Sequence, residues 1–352
     1  MIKKKENFSF RKIIYAFALI AFLSLVGMGV SLYQKIYLPN VIGNEDKQYL
    51  YIPTGSTFSQ LVSIIKENKM VMNSETFRWL AEQMNLPEHI HPGRYEIKPG
   101  MSNFALVKLL RSGKQTPLKI VINKFRLKIE LAEYISTKLE IDSKVFEELL
   151  DDEHLLSKFG FTPSTVMCCF IPNTYEFYWN TSPIKFMERM KIEYDAFWNE
   201  SRIQQVAQLG LSVNDVCTLA SILEEETNRN DEKPIIASVY LNRLKKGMLL
   251  QADPTVKFAM GDFSIRRVTG FYIEETKNSP YNTYRKQGLP PGPICTPSVI
   301  SIQSVLQPAP TDYLYFCASV VKPNYHEFAT TYLQHQKNAR LYQQYLNKKG
   351  IH

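Results

Sequence analysis

The sequence predicts an α+β protein borne on a single membrane-spanning helix, and three observations predict it. An uncharged stretch near the N-terminus matches the thickness of a bilayer. From Tyr49 onward, short strand-like runs and Pro/Gly turns alternate with helically spaced apolar residues. The chain of 352 residues is 45% hydrophobic and 12% aromatic and has no low-complexity tract, so it can bury two or three packed units and is not disordered.

The spanning segment is Ile13 to Gln34, IIYAFALIAFLSLVGMGVSLYQ. At about 1.5 Å per residue it covers roughly 33 Å, against about 30 Å of hydrocarbon. Lys3, Lys4, Lys5, Arg11 and Lys12 precede it against a lone Glu6. This positive-inside bias keeps residues 1–12 in the cytoplasm and exports the chain from about Lys35. A cleaved signal peptide is the rival, with Gly29-Val30-Ser31 as its small-residue site. Its apolar core is too long, since a signal h-region runs about 7 to 15 residues. Residues 13–34 therefore read as a retained anchor and 35–48 as a linker.

The stub supplies half of the net charge of +8, and the remainder suits an acidic polymer without demanding one. Nucleic acid is excluded as a partner by the compartment and by the lack of a basic-aromatic patch or zinc spacing. The five cysteines are odd in number, and Cys168 and Cys169 are adjacent, so they read as small core residues and not as a disulfide framework.

Tyr49 to Ile52 is strand-like, Pro53-Thr54-Gly55 is a turn, and Phe58, Leu61, Val62 and Ile65 fall on one helical face. A second helix follows Asn73-Ser74 and carries Phe77, Leu80, Ala81 and Met84. Strand, turn and helix then recur as Tyr95-Glu96-Ile97, Lys98-Pro99-Gly100 and Phe104, Val107 and Leu110, with Gly100 in the place of Gly55, a weak internal duplication. A strand at 118–122, helices from about Lys128 to Leu150, a loop at Asp151-Asp152-Glu153, the proline-stopped run Phe170 to Tyr175 and a helix from about Ser182 to Glu200 complete the scaffold.

Ser212-Val213-Asn214-Asp215 has the form of a capping box and opens a helix running through Thr227. At 100° per residue, Val216, Leu219, Ala220 and Leu223 make one apolar stripe. Glu226 projects about 60° from Leu223, inside the stripe; Glu224 lies about 100° away, at its border; Glu225 points to the opposite side, into solvent. Glu226 is thus the expected buried carboxyl, and apolar neighbours raise its pKa toward the range of a general acid. Downstream come Asn242-Arg243, Gln251-Ala252-Asp253-Pro254-Thr255, Tyr281-Asn282-Thr283-Tyr284 and Gly288-Leu289-Pro290-Pro291-Gly292-Pro293-Ile294. Polar and aromatic side chains in rigid loops suit a saccharide cleft, because sugars offer hydroxyl edges to hydrogen bonds and flat faces to rings.

On these residues the chain resembles the YceG-like family of endolytic murein transglycosylases. Ala220-Ser221-Ile222-Leu223-Glu224-Glu225-Glu226-Thr227 is similar to the family's Ala-Ser-Ile-Ile-Glu-x-Glu-Thr stretch, whose catalytic glutamate falls on Glu226. Val239-Tyr240-Leu241-Asn242-Arg243-Leu244, Lys246-Gly247-Met248, Leu250 to Val256, Tyr281 to Tyr284, Gly288 to Pro291, Tyr313 to Phe316 and His326-x-Phe328 follow in family order. The resemblance implies an inner-membrane anchor, a LysM-like subdomain at 49–120, a connecting α/β region at 121–205 and a catalytic domain at 206–347. Departures are Met167-Cys168 where Glu-Gly is frequent, Asn173 in place of Asp, Ala252 in place of Thr, and Asn123-Lys124 at a turn that is often Glu-Gly.

The implied reaction uses one carboxyl. Glu226 protonates the glycosidic oxygen between N-acetylmuramic acid and N-acetylglucosamine, then takes the proton from the muramoyl C6 hydroxyl as a 1,6-anhydro ring closes, where glycosidases ordinarily use two carboxylates. Glu224 is a candidate supporting residue, and Gln251, Tyr281, Asn282 and Tyr284 are candidates for binding the substrate. Asp253 reads as a turn residue before Pro254. His326 and His335 read as stabilising the C-terminal lobe, with no third ligand spaced for a metal. No cofactor is expected. The expected partners are peptidoglycan strands and the inner membrane, with cell-wall synthases as further candidates. The competing readings are a hydrolytic muramidase, in which Asp253 joins Glu226, and a non-catalytic wall-binding scaffold.

Overall fold

The uncharged N-terminal stretch forms one continuous helix, α1 (Phe10–Tyr37), in a computed structural model that describes residues 10–43 and 47–348. Lys3 to Glu6 of the basic stub lie outside the described residues. Its 28 residues extend about 42 Å, and its side chains from Lys12 to Lys35 are all exposed. An apolar helix with no protein cover is long and apolar enough to cross a membrane. The chain beyond it is grouped into two units, one running to Leu118 with Phe177–Asn180 added, the other comprising Lys119–Glu176 and the residues from Thr181.

The first unit continues with β1 (Gln48–Ile52), α2 (Phe58–Glu67), α3 (Ser74–Gln83), β2 (Gly93–Ile97) and α4 (Asn103–Ser112). β1 and β2 pair antiparallel, with Leu50 opposite Tyr95 and Ile52 opposite Gly93. Leu50, Ile52, Leu61, Ile65, Phe77, Tyr95, Ile97 and Val107 share one core. The repeated pattern of the sequence has a structural counterpart. Gly55 and Gly100 both turn with left-handed φ of 81° and 80°, and Thr57 and Ser102, each two residues later, cap α2 and α4.

The stretch read as a linker is partly built into this unit. Asn40 is buried; its amide donates to Asn73 O at 3.0 Å and to Asn103 Oδ1 at 2.6 Å, and the Asn103 amide donates to Lys35 O at 2.9 Å. Pro39 and Val41 bridge to Ser102 and Val71. A linker composition was legible, but the asparagine partners that pin it stand 33 and 63 residues away.

The second unit opens with β3 (Leu118–Ile122), α5 (Lys128–Ser136), α6 (Ser143–Asp151), α7 (Glu153–Ser157), β4 (Asn173–Phe177), α8 (Pro183–Phe197) and α9 (Glu200–Leu209). β3 pairs with β4. The expected loop at Asp151–Glu153 is instead a junction of two helices, because Asp152 caps α7 by accepting from Leu155 N at 2.9 Å. Then come α10 (Val213–Glu226), α11 (Lys233–Lys245), α12 (Asp253–Met260), α13 (Gly270–Glu275), α14 (Val299–Leu306), β5 (Tyr315–Ala318), β6 (His326–Ala329) and α15 (Tyr332–Lys348). β5 and β6 form an antiparallel pair with Phe316 opposite Phe328.

α10 is the central helix, packed by α9, α11, α12 and α14. Its capping box is present: Ser212 N donates to Asp215 Oδ2 at 2.8 Å and Asp215 N to Ser212 Oγ at 3.1 Å. The expected one-sided stripe is corrected, since every residue from Val216 to Leu223 is buried. Cys217, Thr218 and Ser221 supply the small surfaces that let neighbours close in all round. Ser221 Oγ donates to Thr218 O at 2.7 Å and accepts from Ile294 N at 2.9 Å, tying the Pro/Gly loop to the helix. All five cysteines are free thiols, four of them buried, as core residues should be.

Within that loop Gly292 is required by close approach. A Cβ there would stand 1.8 Å from the carbonyl oxygen of Ser164. Pro290, Pro291 and Pro293 stiffen the loop against relief. Gly292→Ala is expected to destabilise the protein by about 2 kcal/mol or more, read as a lowered midpoint in urea unfolding; an unchanged midpoint would show that the loop yields.

Candidate active site

Three glutamates end α10, and their surroundings separate them. Glu224 accepts from Ser298 Oγ and Ser301 Oγ, each at 2.5 Å, and from Lys233 Nζ at 3.0 Å. Lys233 is only 4% exposed, so this carboxylate discharges a buried cation and caps the start of α14. Burial pushes the Glu224 pKa up, but the hydroxyl and ammonium donors outweigh it and hold the group below its ordinary value.

Glu225 is corrected most. Expected in solvent, its side chain is only 13% exposed and receives Arg126 in a two-bond fork, Nε at 3.0 Å and Nη2 at 2.9 Å, with Lys124 Nζ at 3.1 Å. Burial raises its pKa and the two cations overcome that, leaving it lowered. The helical projection failed because α10 has no solvent side at this end. The segment bearing Asn123 and Lys124 covers it, so the departure at Lys124 contributes a counter-charge to Glu225.

Glu226 has no such partner: among the described residues it forms no ion pair. Tyr240 of α11 donates its hydroxyl to Glu226 Oε1 at 2.5 Å. Burial raises the Glu226 pKa to about 7; the Tyr240 bond pulls it down, and the charge of Asp253 pushes it further up. Glu226 is also the last helical residue, where the negative end of the helix dipole disfavours a carboxylate. The side chain is half-buried, crowded by protein on most sides and open on one. That opening is a cavity of about 720 Å³, walled also by Thr227, Arg229, Ser319 and His326, with Tyr342 and Tyr345 from α15.

Tyr240 is held in turn. It is fully buried, its ring meets Phe316 of β5 edge-on at 5.8 Å, and Phe316 meets His326 at 5.3 Å. Glu232 accepts from His326 N at 2.8 Å and pairs with its Nδ1 at 3.1 Å, joining the β5–β6 hairpin to the start of α11. His335 stacks on Tyr315 at 5.3 Å. Among the described residues no group of His, Cys, Asp and Glu is arranged to hold a metal.

Asp253 is the first residue of α12 and not a turn residue, and Tyr284 donates to its Oδ1 at 2.5 Å. Burial raises the Asp253 pKa against the pull of that bond. Tyr284 and Asp253 share the electrostatic neighbourhood of Glu226. The remaining candidates are dispersed. Tyr281 packs on Phe258 at 4.7 Å and lines a separate cavity of about 280 Å³ with Arg126 and Met167. Asn282 is fully buried, its amide donating to Ile273 O at 2.8 Å and Thr276 Oγ1 at 2.9 Å, which makes it a loop brace. Gln251 is exposed at a left-handed φ of 51°. Sequence reasoning missed the hydroxyl contact of Tyr240 with Glu226, which needs the folded neighbourhood to be seen.

The YceG-like family model matches residues 50–341. An endolytic murein transglycosylase of Bacillus subtilis strain 168 is 30% identical over 282 residues, 76% of this chain and 77% of that one. A protein of the same name from Streptococcus pneumoniae serotype 2 is 24% identical over 92% of this chain, which spans 64% of that relative's length. The crystal structure of a YceG-like protein from Listeria monocytogenes superposes with a TM-score of 0.56 at 30% identity, covering 83% of this chain and 98% of that one. With most of its length matched by the family model and by relatives at this identity, the chain belongs to the YceG-like family.

Proposed function

We propose that this protein is a membrane-anchored endolytic lytic transglycosylase that cuts the glycan of peptidoglycan, with Glu226 as its catalytic residue. The observation that carries the reading is the isolation of Glu226. Of three successive carboxyls it alone lacks a cation, has a raised pKa and opens on a cavity. A carboxyl near pH 7 in its affinity for a proton can give that proton to a glycosidic oxygen and take one back within a single turnover. The first transfer helps the leaving sugar depart as positive charge develops at the muramoyl C1. The second removes the C6 hydroxyl proton as that oxygen closes on C1. The nucleophile is intramolecular, so its effective concentration supplies much of the rate and no second carboxylate is needed. Tyr240 keeps Oε1 in place and leaves Oε2 as the atom that carries the proton.

The anchor α1 is read as a single pass with its basic stub in the cytoplasm and the body outside, and the β1–β2 unit as the LysM-like subdomain. Cell-wall synthases are the candidate partners within the membrane. Asp253 favours a second reading, in which it activates water and the enzyme is a muramidase; its hydroxyl partner Tyr284 holds it near Glu226. Gln251 and Tyr284 remain candidates for sugar contacts.

Glu226→Gln is expected to lower glycan cleavage by about a hundredfold or more while the fold persists. Mass analysis of wild-type digests should find 1,6-anhydro-muramoyl ends; reducing muramic acid ends would select the muramidase. Unchanged cleavage by the variant would remove Glu226 from the chemistry.

Activity should fall as pH rises through about 7, because the first step requires the protonated acid. Stability follows the same sign. A carboxyl whose folded pKa lies above its unfolded value adds stability below the unfolded pKa, and that stability is lost as pH climbs through the folded one. Glu226→Gln should therefore melt higher than wild type above pH 8, by calorimetry. Tyr240→Phe removes a donor to the ionised form, so the falling limb of its pH–rate profile should move to higher pH while kcat drops. A limb that stays or moves down would contradict the Tyr240 assignment.

A further inference from the structure

The cavity that Glu226 opens on carries a positive charge, and the acids that follow it in the chain, Asp231 and Glu232, are engaged by Tyr325 and His326. Arg229 lines that cavity three residues beyond Glu226 and, among the described residues, forms no ion pair. Two other guanidinium groups of this unit are spoken for. Arg126 is forked onto Glu225, and Arg243 donates to Leu314 O and to Leu250 O, each at 2.6 Å. Arg229 instead lies with its Cζ 4.5 Å from the centre of the Tyr325 ring, and the Tyr325 hydroxyl donates to Asp231 Oδ2 at 3.1 Å. The cation–π contact seats the guanidinium over a tethered ring, and among the described residues its N–H groups make no hydrogen bond. The backbone is fixed too, since Arg229 N donates to the hydroxyl of Thr227, the buried cap residue of α10, at 3.0 Å.

Among the described residues Glu226 is the one acid lining this cavity, and in its catalytic resting form it is neutral. The lining then presents a cation and aromatic rings, which suits a sugar bearing a negative group better than an uncharged one. We propose that Arg229 is a specificity residue that binds a carboxylate on the muramoyl side of the scissile bond, by the two-bond fork a guanidinium forms with that group. The inference rests on the transglycosylase reading for the identity of the glycan. The carboxylate has two sources: the lactyl group itself in peptide-free strands, or the stem peptide where one is attached.

The test uses the full-length protein in detergent and four glycans: peptide-free and peptide-bearing strands, each with its carboxylates free or converted to carboxamides. Wild type should favour the free carboxylate in kcat/KM by about tenfold, mainly through KM. Arg229→Gln should bring that ratio close to one, and Arg229→Lys should retain part of it. A preference within the peptide-free pair assigns the lactyl group, and one confined to the peptide-bearing pair assigns the stem peptide. A ratio that survives Arg229→Gln overturns the proposal, as does a wild type that does not discriminate. Because the ratio is taken within each variant, partial misfolding does not mimic it. Should wild type cleave none of the glycans, the transglycosylase reading fails. The subsite is then judged by binding: Glu226→Gln protein must hold the carboxylate strands tighter than the carboxamide strands, and adding Arg229→Gln must abolish the difference.

Discussion

Two of the three carboxyls that close the central helix are discharged by cations, and the third is left against protein with a tyrosine hydroxyl. That asymmetry is what the rest of the second unit serves. Lys233, Ser298 and Ser301 converge on Glu224, and Lys124 with Arg126 converge on Glu225. Both contacts tie distant chain segments to the end of α10, so the helix end is rigid before any substrate arrives. A rigid end is what allows Glu226 to remain uncompensated: in a frayed one the carboxyl would swing to water and ionise at its ordinary pKa. The favourable pairs on either side offset the cost of holding a lone acid among them.

The hairpin β5–β6 adds a second constraint. Through Phe316 it closes over the Tyr240 ring, and through His326 it is fastened to Glu232 at the head of α11. The tyrosine that meets Glu226 is thereby positioned by packing on one side and by the covalent course of its helix on the other. The same hairpin region brings Ser319 and Tyr325 to the cavity, so one wall of the cavity and the support of Tyr240 are one piece of structure.

The first unit follows different physics. Its core is an ordinary apolar one, but its junction with the membrane helix is polar. The buried side chains of Asn40 and Asn103 bond each other, the Asn73 backbone and the Lys35 carbonyl near the end of α1. Buried amides with complete hydrogen bonding are directional, so they orient the helix end on the unit as apolar contact alone would not. Tyr37 against Phe104, with rings 5.5 Å apart, adds packing at the same place.

Much was legible from residues alone because it rests on local rules. The anchor follows from hydropathy and length, the caps of α3 and α10 from Asn73 and Ser212, and the turns at Gly55 and Gly100 from their Pro-x-Gly and Pro-Gly sequences. Glu226 was reached by helical projection as well as by family pattern, although the projection put Glu225 in solvent. What the sequence by itself determined was therefore the apolar N-terminal helix, several of the strands, helices, caps and turns that follow it, and the place of Glu226 at the end of a helix. What only the tertiary structure decided was which carboxyls are neutralised, that Asn282 is a brace and Tyr281 faces another cavity, that Tyr240 meets Glu226, and that Arg229 lines the same cavity. The physical reason is range: capping and periodicity act within a turn or two of the chain, whereas charge compensation and desolvation depend on atoms that only folding brings within a few ångströms.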